Sequence, residues 1–283
     1  MALVTMKELL VAAGREKYAV GAFEFWSVDS AFAVVDTAAE MNTDIILQVG
    51  DLERDYMGGY KNARKIAEMA AERTKLGVAL HVDHAPTYDE VLRGLDAGFT
   101  SVMIDGSALP LTENIRLTRR VVEAGRRYGA SVEAELGKLA GNEGHVSNAE
   151  EQHTNAAEAE QFVSETEIDA LAVAIGTAHG FYKTTPKINI ERLREIASRV
   201  SIPLVLHGGS GTPEDKVAES IRHGVAKINI CTEFIAAFGK GYVDAQASPN
   251  FKCNAPGLFG QGQTRAMELV KTKLRLFLSG EFQ

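Results

Sequence analysis

The residues best suited to chemistry are histidines and carboxylates at the ends of short apolar runs. Leu80-His81-Val82-Asp83-His84 stops at Ala85-Pro86, Ala174-Ile175-Gly176-Thr177-Ala178-His179 stops at Gly180, and Leu204-Val205-Leu206-His207 stops at Gly208-Gly209. One histidine in such a place is usually structural. Three of them, His84, His179 and His207, match the ligand count of a catalytic zinc site with one position left open for substrate. Nitrogen donors favour zinc over magnesium or calcium, and cobalt or another divalent ion would also suit. Asp83, Asp105, Glu133 and Glu135 fall at the same kind of place. His81 shares a strand face with Asp83 and reads equally as support or as core, whereas His145, His153 and His223 fall in loops or on a helix and are expected in solvent. Glycines give a second signal. His179-Gly180 and His207-Gly208-Gly209-Ser210-Gly211 supply amide-rich backbone, and with the side chains of Ser210, Asn229 and Thr232 they suit a phosphate.

Such convergence requires a scaffold that brings many strand ends together. Apolar runs predict strands over 18–25, 44–49, 78–83, 101–105, 131–136, 170–175, 203–207 and 226–230. Amphipathic stretches predict helices over 5–13, 29–41, 59–74, 88–97, 112–128, 156–166, 190–199, 213–223, 232–245 and 264–278. Eight strands alternating with helices, without a linker, predict one (β/α)8 TIM barrel over residues 1–283, with a helical extension from about 246. In that fold the active site gathers at the carboxyl ends of the strands, where phosphate commonly sits after strands seven and eight. An open doubly wound sheet would need a dinucleotide-binding glycine fingerprint that is not seen after the first strand. The polar interval 137–155 is long enough to be a lid.

A chain of 283 residues, 45% hydrophobic, builds a core of this size, and a net charge of −8 argues against nucleic-acid or anionic-membrane partners while leaving room for a local phosphate pocket. Cys231 and Cys253 are too few for a disulfide framework, and no apolar run approaches the roughly 20 residues of a membrane span. Residues 1–7 do not read as a signal peptide, so a cytoplasmic setting is expected.

Together, Leu80-His81-Val82-Asp83-His84, Ser101-Val102-Met103-Ile104-Asp105-Gly106-Ser107, Glu133-Ala134-Glu135-Leu136-Gly137, Ala174 to Gly180 and Leu206 to Gly211 resemble the motifs of class II ketose-phosphate aldolases, the fructose- and tagatose-bisphosphate enzymes. The resemblance runs from about residue 3 to 232 and implies reversible cleavage of a ketose phosphate to dihydroxyacetone phosphate and an aldehyde. It implies zinc on His84, His179 and His207, with Asp105 and Glu135 holding a second or displaced metal or orienting the histidines. Asp83 would pass a proton to or from the aldehyde-derived oxygen, and Glu143, in the loop 138–155, would remove the proton from the nucleophilic carbon. Gly180, Lys183, Gly208, Gly209, Ser210, Asn229, Ile230, Cys231 and Thr232 would bind the phosphate end, and carbonyls near Gly180 and Gly208 a monovalent cation. It also implies a homodimer or homotetramer.

Departures from the family pattern all touch substrate recognition. Glu24 replaces an asparagine, Gly50 a phosphate-binding serine, and Cys231 a residue that is often asparagine, aspartate or alanine. Asn254-Ala255-Pro256-Gly257 stands where an Asp-Pro-Arg segment supplies a distal arginine, with Arg265 the nearest substitute. Glu24 would repel a phosphate but suit sugar hydroxyls, so an aldehyde half other than glyceraldehyde 3-phosphate is expected. The competing readings are a zinc-dependent sugar-phosphate epimerase and a non-catalytic sugar-phosphate sensor.

Overall fold

A computed structural model describes residues 3–139, 141–143, 146–148, 153–182 and 184–279. The strands are β1 (Val20–Glu24), β2 (Ile45–Val49), β3 (Val78–Ala85), β4 (Ser101–Ile104), β5 (Ser131–Leu136), β6 (Gly141–Glu143), β7 (Val146–Asn148), β8 (Ala170–Val173), β9 (Leu204–Leu206) and β10 (Val225–Ile230). Eight of them close in parallel in the order β1-β2-β3-β4-β5-β8-β9-β10, and β10 returns to β1 from Val20↔Lys227 to Phe23↔Ile230. The expected (β/α)8 barrel is the fold. β6 and β7 pair antiparallel with each other inside the expected lid. Among the described residues no helix is long and apolar enough to cross a membrane.

Strand alternation sorts the side chains. On β3, Val78, Leu80 and Val82 join the large apolar cluster between strands and helices, whereas Ala79 faces a second cluster inside the barrel. The same parity turns Leu47 outward and Ile46 inward on β2, and Leu204 outward and Val205 inward on β9. The inner cluster includes Ala22, Ile46, Ala79, Ala172 and Val205, together with Met6, Leu9 and Leu10 of the helix Met6–Glu16. Small residues at the strand starts make room for this helix, which stoppers the amino-terminal end of the barrel. Toward the carboxyl ends the inward positions turn polar: Glu24, Gln48, His81, Asp83, Glu133, Glu135, Lys227 and Asn229, with His207 just past β9, are all buried.

Element boundaries differ where caps or packing outweigh local breakers. Thr5 caps the first helix through a capping box with Glu8, as its type suggests. That helix then runs through Gly14 to Glu16 and closes on Lys17 in the left-handed region at φ 62°. A short helix, Asp51–Tyr56, follows β2 unannounced by any periodicity. The last helix spans Ala255–Ser279 rather than starting near 264. Of its early glycines, Gly262 looks like a breaker but serves close packing: a Cβ there would lie 2.1 Å from the Tyr242 ring of the preceding helix. Ala266, Val270, Leu274 and Phe277 of this helix join the main apolar cluster.

Gly106, just past β4, is another close approach. A Cβ there would lie 2.2 Å from Asn114 Oδ1, and Asn114 Nδ2 donates to the Glu135 carbonyl at 3.0 Å. Gly106→Ala is expected to cost about 1–3 kcal/mol by overpacking. A lower denaturation midpoint at unchanged m-value would register it; an unchanged midpoint would show that Asn114 yields freely.

Candidate active site

Adjacent residues of a regular strand face opposite ways, yet Asp83 and His84 both reach the barrel mouth. The register between β3 and β4 shifts between Val82 and Ala85, and His84 adopts φ 47°, a conformation uncommon outside glycine. This irregularity re-aims His84, and the strand continues to Ala85, two residues past the expected end.

His84, His179 and His207 come together. One ring nitrogen from each lies within 4.8 Å of the other two, and the ring centroids of His84 and His207 are 4.5 Å apart. Carboxylates fix two of these rings. His84 Nδ1 donates to Asp105 Oδ2 at 3.0 Å, and Asp105 Oδ1 accepts from the Ser107 amide at 3.0 Å and hydroxyl at 2.6 Å. His207 Nε2 donates to Glu133 Oε1 at 2.7 Å, leaving Nδ1 2.7 Å from His84 Nε2. Anchoring the far nitrogen by a carboxylate is the usual way to present a bare lone pair to a metal.

The carboxylates make this pocket a place that favours positive charge. Burial alone would push the His84 imidazole down, but Asp83, Asp105 and Glu135 together hold it well above its ordinary value. Burial, reinforced by His84, pushes His207 well below. Burial and the neighbouring Asp105 push Glu135 well above the usual carboxylate range, while hydrogen bonds from His84 and Ser107 overcome the desolvation of Asp105 and hold it well below. Glu135 Oε2 is buried without a hydrogen-bond partner, 3.8 Å from His84 Nδ1, and His84, Asp105 and Glu135 form a second candidate ligand group. Three imidazole nitrogens beside an orphaned carboxylate oxygen fit a divalent, nitrogen-preferring cation.

Asp83 sits beside the histidines, held by neutral donors. Gln48 Nε2 donates to Asp83 Oδ2 at 2.9 Å, and Asn229 Nδ2 approaches Oδ1 at 3.2 Å and Oδ2 at 3.3 Å. Gln48 Nε2 also reaches Glu24 Oε2 at 3.2 Å, while Glu24 Oε1 accepts the Gly50 amide. Glu24 is buried, so both its oxygens are engaged within the protein rather than turned toward open space. Beneath the histidines, Glu133 and His81 meet two residues that sequence reasoning did not assign, Lys227 and Ser101. Lys227 Nζ is 2.8 Å from Glu133 Oε2, and His81 Nδ1 is 2.6 Å from Ser101 Oγ. Strand parity alone would have turned Lys227 and Glu133 inward.

Of the expected phosphate residues, Gly180, Gly208, Ser210, Asn229, Cys231 and Thr232 line one cleft, together with His179. Ser210 Oγ accepts the Glu233 amide at 3.2 Å at the start of the helix Thr232–Ala247. Gly209 donates its amide to the Asn229 carbonyl at 3.2 Å. Ile230, expected among the phosphate residues, is buried in the outer apolar cluster instead of lining the cleft. Tyr182, not anticipated, accepts from the Ala178 amide and donates to the Gly208 carbonyl, each at 2.9 Å. Lys183 lies outside the described residues, as does His145, while His153 is exposed and His223 half-buried beside Arg194.

The lid approaches the metal side. Gly141 packs so closely on His179 that a Cβ would lie 2.5 Å from its carbonyl oxygen. Glu143 ends β6, two residues further on; its side chain lies outside the described portion. At the far end of the lid the Thr154 hydroxyl is bound to the Leu136 carbonyl and accepts the Ala174 amide at 2.8 Å, pinning the loop to two strand ends.

The geometry has close counterparts. The family model described as fructose-bisphosphate aldolase class-II matches residues 4–281. A fructose-bisphosphate aldolase of Geobacillus stearothermophilus is 38% identical over 279 residues, 98% of this chain and 97% of that protein. One of Staphylococcus aureus strain Mu50 is 37% identical over 98% of both chains. The crystal structure of the YdjI aldolase from Escherichia coli K12 superposes with a TM-score of 0.85 at 30% identity, covering 98% of this chain and 97% of that one. The chain belongs to the class II fructose-bisphosphate aldolase family, a family of aldehyde-lyases.

Proposed function

We propose that the protein is a zinc-dependent aldolase that reversibly cleaves a ketose phosphate into dihydroxyacetone phosphate and an aldehyde. The observation that carries this reading is Asp83, held by Gln48 and Asn229, beside three imidazoles that each bring a nitrogen to one place. His84, His179 and His207 would hold the zinc, with Asp105 and Glu135 as orienting or alternative ligands. When bound it supplies Lewis-acid stabilisation of the enediolate that cleavage leaves on the dihydroxyacetone phosphate half. Asp83 takes the proton from the hydroxyl that becomes the aldehyde oxygen as the carbon–carbon bond breaks, and returns it in the synthetic direction. Glu143, carried by the lid, returns a proton to the nucleophilic carbon, and the closed lid keeps water off it. The cleft around Gly180, Gly208, Gly209 and Ser210, with the backbone from Asn229 to Thr232 and Lys183, seats the phosphate. A monovalent cation at the Gly208 carbonyl would share that oxygen with the Tyr182 and Thr212 hydroxyls. The working assembly is a homodimer or homotetramer.

The aldehyde half carries no phosphate. A Cβ at Gly50 would lie 3.3 Å from Glu53 Oε2 and 3.4 Å from Glu24 Oε1, so carboxylates crowd the place where the family has its phosphate-binding serine. Arg265, the nearest substitute for the distal arginine, lies 3.8 Å from Asp244. A missing charge-assisted bond of this kind is typically worth about 1.5–3 kcal/mol.

Zinc content and triose-phosphate release, measured over a panel of ketose mono- and bisphosphates with and without chelator, test both claims. Expected is release that a chelator abolishes and zinc restores, with a monophosphate cleaved best. Zinc binding without cleavage of any member would favour epimerisation. Fructose 1,6-bisphosphate outperforming every monophosphate would overturn the specificity claim alone.

A further inference from the structure

Lys227 is fully buried, points into the barrel from β10 and has no place in the chemistry above. It lies beneath Asn229, two positions nearer the stoppered end. Its ammonium sits 2.8 Å from Glu133 Oε2, while the other oxygen of the same carboxylate, Oε1, accepts from His207 Nε2 at 2.7 Å. Glu133 is therefore shared between one cation and one proposed zinc ligand. His81 closes the remaining side, with Nε2 3.6 Å from Glu133 Oε2 and Nδ1 on Ser101 Oγ, which in turn lies 3.6 Å from Met6 Sδ of the stopper helix.

A buried ion pair is a poor way to stabilise a fold, because desolvating both charges offsets most of their attraction and an apolar pair of the same volume often does as well. Its value here is geometric. With one oxygen fixed on Lys227, the carboxylate can turn only its other oxygen to His207, which must then keep its proton on Nε2 and leave Nδ1 bare toward His84 Nε2. Resting on the reading of the three histidines as zinc ligands, we propose that Lys227 is a positioning residue for His207, acting through Glu133, and so sets how tightly the protein holds its metal. It touches neither substrate nor metal. Nor is it a Schiff-base lysine, since its amine is committed to Glu133 beneath the floor of the site.

The test is a double-mutant cycle in the full-length protein, with zinc affinity read by competition against a chromophoric chelator and melting temperature read alongside. Lys227→Met and Glu133→Gln should each weaken zinc binding by roughly 10–100-fold, the range for removing a partner that orients a ligand. Because both changes act along one path, the double variant should bind zinc no worse than Glu133→Gln alone. It should also recover the melting temperature that Lys227→Met loses, since no lone buried charge remains. A merely structural lysine would move the melting temperature and leave affinity within twofold of the parent, which overturns the proposal; so do losses that multiply in the double variant. A parent protein that takes up no zinc overturns the metal reading itself.

Discussion

Replacing His207 by alanine should empty the metal site and lower kcat/KM for ketose-phosphate cleavage by on the order of 10³-fold, about 4 kcal/mol of transition-state stabilisation. His207 stands between Glu133 Oε1 and His84 Nε2, each at 2.7 Å, so its removal takes one ligand and leaves the carboxylate that oriented it without its imidazole. Two imidazoles are too few for a site that needs three protein ligands and an open position. The loss therefore falls on metal retention first and on turnover as a consequence. Metal analysis after dialysis, with kcat/KM at saturating and at trace zinc, checks it. A variant that retains one zinc per chain and activity within tenfold of the parent would remove His207 from the ligand set.

The second large effect belongs to Asp83. Asp83→Asn should keep the metal and lower kcat by about 10²–10⁴-fold, the usual contribution of a positioned general acid or base. The fold should tolerate it, because Gln48 Oε1 and Asn229 Oδ1 are buried acceptors without partners, and either amide can turn to accept from the new side chain. Proton exchange at the nucleophilic carbon of bound dihydroxyacetone phosphate should survive, since that step is assigned to Glu143. Loss of both reactions together, with zinc still bound, would mean that Asp83 serves both proton transfers.

Much of this was legible in the sequence for a physical reason. A parallel barrel covered on both faces needs strands apolar on both parities, and the places where polarity intrudes, at Asp83, Glu133, Glu135, His207 and Asn229, are places where inward positions approach the mouth. Other features depend on pairing between distant strands. Glu24 reads as a residue facing substrate, but its register opposite Gln48 turns it into a partner of that amide and of Gly50. The irregularity that brings His84 beside Asp83 has no local signature, since it arises where β3 and β4 fall out of step. The last helix begins earlier than its amphipathic stretch, at Ala255, through glycines of low helix propensity, of which Gly262 admits a tyrosine ring.

The helix Met6–Glu16 makes the barrel a vessel with one opening. On the proposed function, substrate, both products, the exchanging protons and the zinc itself would all share the mouth over which Gly141 leans on His179. Resistance to demetallation is then a traffic property as much as a coordination property: a sugar phosphate seated in the mouth bars the exit, and the enzyme is most exposed to scavenging chelators when it is idle.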